Sequence, residues 1–266
     1  MHSNSGQFVG AADAYDHHVG RYGAQLAAGL IEVADVLPGQ RVLDVGCGPG
    51  PLTKALADRA GADNIAAVDP SPDFVEACRA RVPRADARVG AAEQLPFASD
   101  SFAAALAQLV VQLMDDRDAG ITEMIRVTHP DGVVAACVWD STTMPLLRAF
   151  WDAALAVAPE CAGAIDDARR VGYERPDELA ELWQARSLVD VSTGDLWVSA
   201  DYESFDDLFF QPSRAGTGHS GACYTSLDRA GQNRLRDETH HRLGEPDRAF
   251  TLTARAWWER GRVPVH

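Results

Sequence analysis

The chain has 266 residues, 46% of them hydrophobic, which suffices for one large α/β domain with a substantial core. Its 24 Lys+Arg against 39 Asp+Glu leave a formal net charge of −15, which repels phosphate backbones and anionic bilayers and argues against nucleic acid as a partner. Five widely spaced cysteines (Cys47, Cys78, Cys137, Cys161, Cys223) without a CxxC fit reduced thiols in a cytoplasmic protein, not a disulfide frame or a zinc site. The first residues, Met-His-Ser-Asn-Ser-Gly-Gln-Phe, carry neither a basic nor an apolar leader segment. The most apolar stretch, Ala103–Met114, is too short to cross a bilayer and is interrupted by Gln108 and Gln112.

In chain order, Leu26, Leu30, Val33 and Leu37 share one face of a predicted amphipathic helix that Pro38-Gly39 stops. A strand over Arg41–Val45 runs into the glycines, and Pro51 opens a helix continuing over Leu52–Arg59, closed by Gly61. Ile65–Val68 is a second strand ending at Asp69, Pro72–Arg81 has helical spacing, and Ala87–Val89 is a weak third strand. Phe102–Ala107, a helix over Ala119–Val127 and the apolar Val133–Val138 follow. This alternation argues for a parallel sheet with helices on both faces and a ligand at the strands' carboxyl ends.

Beyond Trp139 the pattern changes. Helices are expected over Met144–Ala158 and Pro176–Ala185, a mixed polar stretch over Pro159–Gly172, and a strand over Val189–Val198. Residues 201–224 read as irregular and rich in aromatics. Ser226 or Asp228 caps a helix running to Leu243, and Phe250–Trp257 alternates as a last strand.

The segment Val42–Gly50, V-L-D-V-G-C-G-P-G, is the most informative. Glycine permits positive φ and lets a ligand approach with no Cβ in the way. Dinucleotide binders want G-x-G-x-x-G, but that third position is Pro51 and the glycine falls at 50. Asp44 also stands inside the strand where that fingerprint has an apolar residue. With A-A-V-D-P-S-P-D-F, V-G-A-A-E-Q-L-P-F-A-S-D-S-F and M-I-R-V-T-H-P-D-G-V-V following in order, the chain resembles the class I S-adenosylmethionine-dependent methyltransferases over about residues 40 to 140. The resemblance is to the small-molecule branch related to ubiquinone and menaquinone methyltransferases. It departs at the turn before the fifth strand, where the family's R-P-G-G is His129-Pro130-Asp131-Gly132.

That resemblance implies a three-layer, doubly wound seven-stranded sheet, mostly parallel with the last strand antiparallel, plus helical cover insertions. Residues 1–266 would form one domain: 1–40 an N-terminal helical cap, 41–140 the cofactor-binding core, and 141–266 the remaining sheet with an acceptor-side lid. Gly46, Gly48 and Gly50 would pack under the methionine portion of the cofactor, with Asp44 near its amino group, directly or through water. Asp69 would take the ribose hydroxyls, Pro70 and Ser71 would flank the adenine, and Ala92 or Glu93 would approach its amino edge. Gln108 would lie beside the methyl group, and Tyr15 and Arg21 would close over the cofactor carboxylate.

The implied reaction is methyl transfer to a small-molecule acceptor by in-line displacement, in which the protein's task is alignment. His17, His18, Gln112 and His219 are conceivable pocket groups, and the residues do not choose a general base among them. The adjacent pairs His17-His18 and His240-His241 make poor chelates, so no metal is expected. The alternatives are a nicotinamide-dependent oxidoreductase, disfavoured by Pro51 and Asp44, and a non-catalytic regulatory protein that keeps the cofactor site. Oligomerisation is left open.

Overall fold

In the computed structural model, residues 20–140, 142, 144–162, 176–209 and 218–265 are described. Seven strands form one sheet in the order β3-β2-β1-β4-β5-β7-β6. They are β1 (Val42–Val45), β2 (Ile65–Asp69), β3 (Asp86–Val89), β4 (Phe102–Gln108), β5 (Thr128–Trp139), β6 (Val189–Tyr202) and β7 (Phe250–Arg262). The first five pair in parallel, and β7 runs antiparallel to both β5 and β6. The expected doubly wound sheet with an antiparallel last strand is therefore present.

Successive side chains of a strand point to opposite faces, and the core divides accordingly. Val42, Ala104, Leu106, Ala135 and Cys137 pack with α1 (Gly20–Val33) and α2 (Pro51–Ala60). Leu43, Val45, Ala105, Val134 and Ala136 pack on the other face with α4 (Arg117–Val127) and α7 (Pro176–Gln184). Under β2, Ala67 meets Val75 and Cys78 of α3 (Pro72–Arg81). Burial on both faces explains why β1 reads as a continuous apolar run broken only by Asp44.

The first helix ends at Val33, four residues before the expected stop. Asp35 takes the left-handed conformation (φ 53°), and Val36 N donates to Ile31 O at 3.2 Å, a helix stop normally built on glycine. The turn buries Val36 and leaves Leu37 49% exposed, so the buried stripe is Tyr22, Leu26 and Leu30. Strand β5 starts five residues earlier than expected. His129-Pro130-Asp131-Gly132 stays in the sheet as a bulge between the pairs Phe102↔Thr128 and Ala104↔Val133, with Asp131 at φ 64°. Strands β6 and β7 are also longer than their patterns suggest, since they pair from Val189↔Arg262 to Tyr202↔Phe250. The Gln25 amide fastens Ser199 through both backbone groups, at 2.6 and 3.0 Å.

The cover consists of α5 (Pro145–Val157), a short α6 (Pro159–Ala162), a helical turn at 205–209, α8 (Gly218–Ser226) and α9 (Arg229–Arg242). Asp228, not Ser226, caps α9, accepting from Gly231 N at 2.7 Å. The stretch expected to be irregular thus holds a strand end, a helical turn and α8 among its described residues. Its aromatics pack on one another, with Phe205–Phe209 stacked at 5.3 Å and Phe209–Tyr224 edge-on at 5.7 Å.

One expectation about the thiols is overturned. Cys161 and Cys223 are joined as a disulfide between α6 and α8, with Cα atoms 5.3 Å apart, whereas Cys47, Cys78 and Cys137 are free and buried. The sequence separation of 62 between the partners hides their adjacency from any reading of spacing. Among the described residues no helix is long and apolar enough to cross a membrane.

Candidate active site at the glycine loop

Strand β1 leaves the sheet at Gly46, where Gly46 N and Cys47 N both donate to Val68 O, at 2.7 and 3.0 Å. Gly46, Gly48 and Gly50 all have positive φ (71°, 52° and 95°), but for different reasons. A Cβ on Gly46 would run into the Val110 side chain, and one on Gly50 would meet Cys78 at 3.0 Å from Sγ and 3.3 Å from Cα. At Gly48 a Cβ would meet nothing within 4 Å. Gly46 and Gly50 therefore let the loop pack on the protein, and only Gly48 borders open space. Gly50 precedes α2 without any side-chain cap, and Pro51 stands in the first turn, as the sequence predicts.

This difference sets an expected result. Gly46→Ala and Gly50→Ala should each cost at least about 2 kcal/mol of folding stability, through clash added to backbone strain. Gly48→Ala should cost only about 1 kcal/mol and act mainly on cofactor affinity. Urea titrations of the three variants check this. Equal destabilisation by all three would contradict the assignment.

Asp44 is 1% exposed, and its Oδ2 accepts from Thr53 Oγ1 at 2.6 Å. Its Oδ1 is buried with no hydrogen-bond partner. Burial pushes its pKa up to about 8, against the opposing pull of the Thr53 bond. Thr53 in turn accepts from the Cys78 thiol at 3.5 Å. A buried carboxyl with one free oxygen, on the strand that runs into a glycine bordering open space, is a cradle that fits a ligand ammonium.

Asp69, at the end of β2, accepts from Gly48 N through Oδ2 and from Ser71 N through Oδ1, both at 2.9 Å. Burial raises its pKa, and those two backbone bonds oppose the shift. The capping of α3 falls to Ser71, which accepts from Phe74 N at 3.4 Å, so Asp69 is not the cap. Each of its oxygens retains a lone pair, as a site for a vicinal diol requires. Pro70 beside it is exposed. Ala92 is buried at the start of a short helical turn, and Glu93 accepts from Asp116 N, just before α4, at 3.3 Å.

Gln108 ends β4. Its Nε2 donates to Gly23 O of α1 at 3.2 Å, and its Oε1 is buried without a partner. The next residue, Leu109, holds φ 61°, rare for a branched apolar residue and a mark of stored strain. Arg21 of α1 forms a bidentate pair with Asp207 at 2.6 and 3.0 Å and lies 4.7 Å over the Tyr202 ring. Tyr15, His17 and His18 lie outside the described residues, as does the His219 side chain. His129 sits at the amino end of β5, at the edge opposite Gln108. Among the described residues no group of three His, Cys, Asp or Glu is placed to hold a metal.

Sequence reasoning missed Thr53 and Val110. Thr53 is a wholly buried hydroxyl beside Leu52 and Leu56 in α2, and a polar residue in that apolar stripe was the available signal. Nothing in the sequence marks Val110 as the residue that packs against Gly46.

The family described as Methyltransferase domain matches residues 43–136. Over 230 residues the chain is 31% identical to a malonyl-[acyl-carrier protein] O-methyltransferase of Halorhodospira halophila, covering 85% of this chain and 70% of that protein. It is 32% identical to a demethylmenaquinone methyltransferase of Renibacterium salmoninarum over 46% of this chain and 51% of that one. The chain thus spans about half the length of several curated relatives it matches. In fold it is similar to a phosphoethanolamine N-methyltransferase 2 from Haemonchus contortus solved with S-adenosyl-L-methionine. There the TM-score is 0.55 at 14% identity, over 90% of this chain and 52% of that one. With the seven-stranded sheet and the glycine loop, these relationships show that the chain belongs to the S-adenosylmethionine-dependent methyltransferases.

Proposed function

We propose that this chain transfers a methyl group from S-adenosylmethionine to a small-molecule acceptor. The observation that carries the reading is the buried, unpartnered Asp44 Oδ1 on the strand that leads into the loop whose Gly48, alone of its three glycines, faces open space. When bound, S-adenosylmethionine supplies an electrophilic methyl carbon on its sulfonium. Asp44 offers its free oxygen to an ammonium, and Thr53 fixes the rotamer that does so. Asp69 offers its remaining lone pairs to the ribose hydroxyls, with Pro70, Ala92 and Glu93 around the adenine.

Gln108 stands at the strand end nearest the reacting methyl. Tyr15 and Arg21 belong to the reading as closing residues, and Arg21 joins by exchanging Asp207 for the cofactor carboxylate. Residues 1–266 act as one domain, with 1–40 as cap, 41–140 holding the cofactor and 141–266 covering the acceptor. The protein's contribution is then alignment and the exclusion of water. A cytoplasmic setting is part of the reading; three buried thiols are free, and the Cys161–Cys223 disulfide is the observation that stands against it.

Titration with S-adenosylmethionine, S-adenosylhomocysteine and NAD tests the cofactor, since tight binding of NAD alone would overturn the reading. Transfer of label from the cofactor into phenols, quinol precursors and amines tests turnover. Binding without any product would instead favour a regulatory protein. Asp69→Ala should weaken cofactor binding by about 1–3 kcal/mol through loss of charge-assisted hydrogen bonds. Unchanged affinity would remove Asp69 from the ribose site.

A further inference from the structure

Two glutamine amides stand at the end of β4, and they share an arrangement. Gln108 Nε2 donates to Gly23 O at 3.2 Å, and Gln112 Nε2 donates to Leu109 O at 2.8 Å. Both residues are buried, at 7% and 5% exposure, and both Oε1 atoms have no hydrogen-bond partner. A backbone carbonyl can only accept, so each amide must turn its NH2 group toward that carbonyl. Neither amide can flip, and each is held with its oxygen as the group left over.

Their placement ties them to the cofactor loop. Between them lie Leu109, in its strained conformation, and Val110, whose side chain fills the space a Cβ on Gly46 would need. On the other side, Gly23 lies against both Pro51 and the Gln108 amide. The surroundings are apolar and aromatic, with Tyr22 edge-on to Trp139 at 5.6 Å. A buried oxygen without a donor is costly, and beside the cofactor loop it points to a ligand that brings one.

The cations nearby are already engaged. Arg21 is held by Asp207, and Arg117 donates to the backbone oxygen of Gln112 at 3.3 Å. An anionic acceptor would bring more lone pairs to oxygens that already lack donors, with no described guanidinium left over to balance it. We propose that Gln108 and Gln112 form the acceptor subsite, and that it takes a neutral molecule through O–H or N–H donors and rejects carboxylates and phosphates. This rests on the cofactor reading above and adds to it the chemical class of the acceptor.

The test uses the full chain saturated with S-adenosylhomocysteine and two probes on one ring frame, 2-naphthol and 2-naphthoate, followed by calorimetry. The naphthol should bind at least about tenfold more tightly than the naphthoate. Gln112→Met should remove about five- to tenfold of the naphthol affinity while affinity for S-adenosylhomocysteine stays within twofold. Gln112→Glu, which keeps an acceptor oxygen, should retain the preference for naphthol. The proposal is overturned if the naphthoate binds as tightly as the naphthol, if neither probe binds, or if Gln112→Met leaves naphthol binding unchanged. The wild-type comparison decides the matter even where a variant folds poorly. Failure of S-adenosylhomocysteine itself to bind is a separate result and removes the cofactor reading.

Discussion

Affinity for S-adenosylmethionine should fall about tenfold per pH unit as the pH drops below about 8, to roughly one hundredth of its maximum at pH 6. The cause is Asp44, whose carboxyl is pushed up to about 8 by burial. An ammonium ligand favours its ionised form, so below pH 8 binding must expel the proton first. The slope is therefore positive with rising pH, and about one proton should be released per cofactor bound at pH 6.5. Above pH 8 the rise ends, because an α-ammonium of ordinary pKa, about 8, begins to lose its own proton.

Calorimetry in two buffers of different ionisation enthalpy reads the proton directly. Asp44→Asn should flatten the profile between pH 6 and 8 and weaken binding by about 2–3 kcal/mol. 5′-Methylthioadenosine, which lacks the amino-acid portion, should show no such profile with the unaltered protein. If its affinity falls with pH as steeply as that of S-adenosylmethionine, Asp44 is not the ammonium site.

Replacing Glu259 by Met should stabilise the chain at pH 8 by on the order of 3 kcal/mol and raise Tm by roughly 5–10 °C. Glu259 lies in the middle of β7, opposite Ala136 of β5, with no exposed surface and neither carboxylate oxygen hydrogen-bonded. Burial pushes its pKa up to about 7. The folded state thus holds a proton that the unfolded chain releases near pH 4.5, and stability declines as pH rises from there through 7. Asp44 acts in the same direction up to about pH 8.

At pH 5 the Met variant and the parent should differ little, because Glu259 is then protonated and its desolvation cost is small. Melting curves at pH 5 and pH 8 measure the difference. A gap of the same size at both values would mean that packing, not ionisation, sets it. Strands β4 and β5 separate Glu259 from β1 and its glycine loop, so cofactor affinity at a fixed pH should stay within twofold.

Much of the candidate site's geometry was legible in the sequence because its parts are local. The run from Val42 to Pro51 encodes strand, turn and helix start within one segment, and each step has a residue-level cause. These are continuous apolar burial, three positive φ angles, and a proline where no N–H is needed. Asp69 was legible because a strand-end acid follows the same unit at a short distance. The helix capped by Asp228 was legible for the same local reason. Strand ends were less so. Thr128 and Ser199–Tyr202 are extended because a neighbouring strand and, at Ser199, Gln25 hold them, not because of their own propensity.

The sequence by itself determined the order of strands and helices, the sharp turn after β1, and the acids that border it, because these depend on periodicity, glycine and proline over a few residues. Only the tertiary structure decided which glycine faces open space, since that depends on Val110 and Cys78 arriving from β4 and α3. It alone paired Cys161 with Cys223 and Arg21 with Asp207, contacts that join residues 62 and 186 positions apart. It also left single oxygens of Asp44, Gln108 and Gln112 buried without donors. Whether a polar atom is satisfied depends on every group that folding brings to it, and no segment of sequence carries that sum.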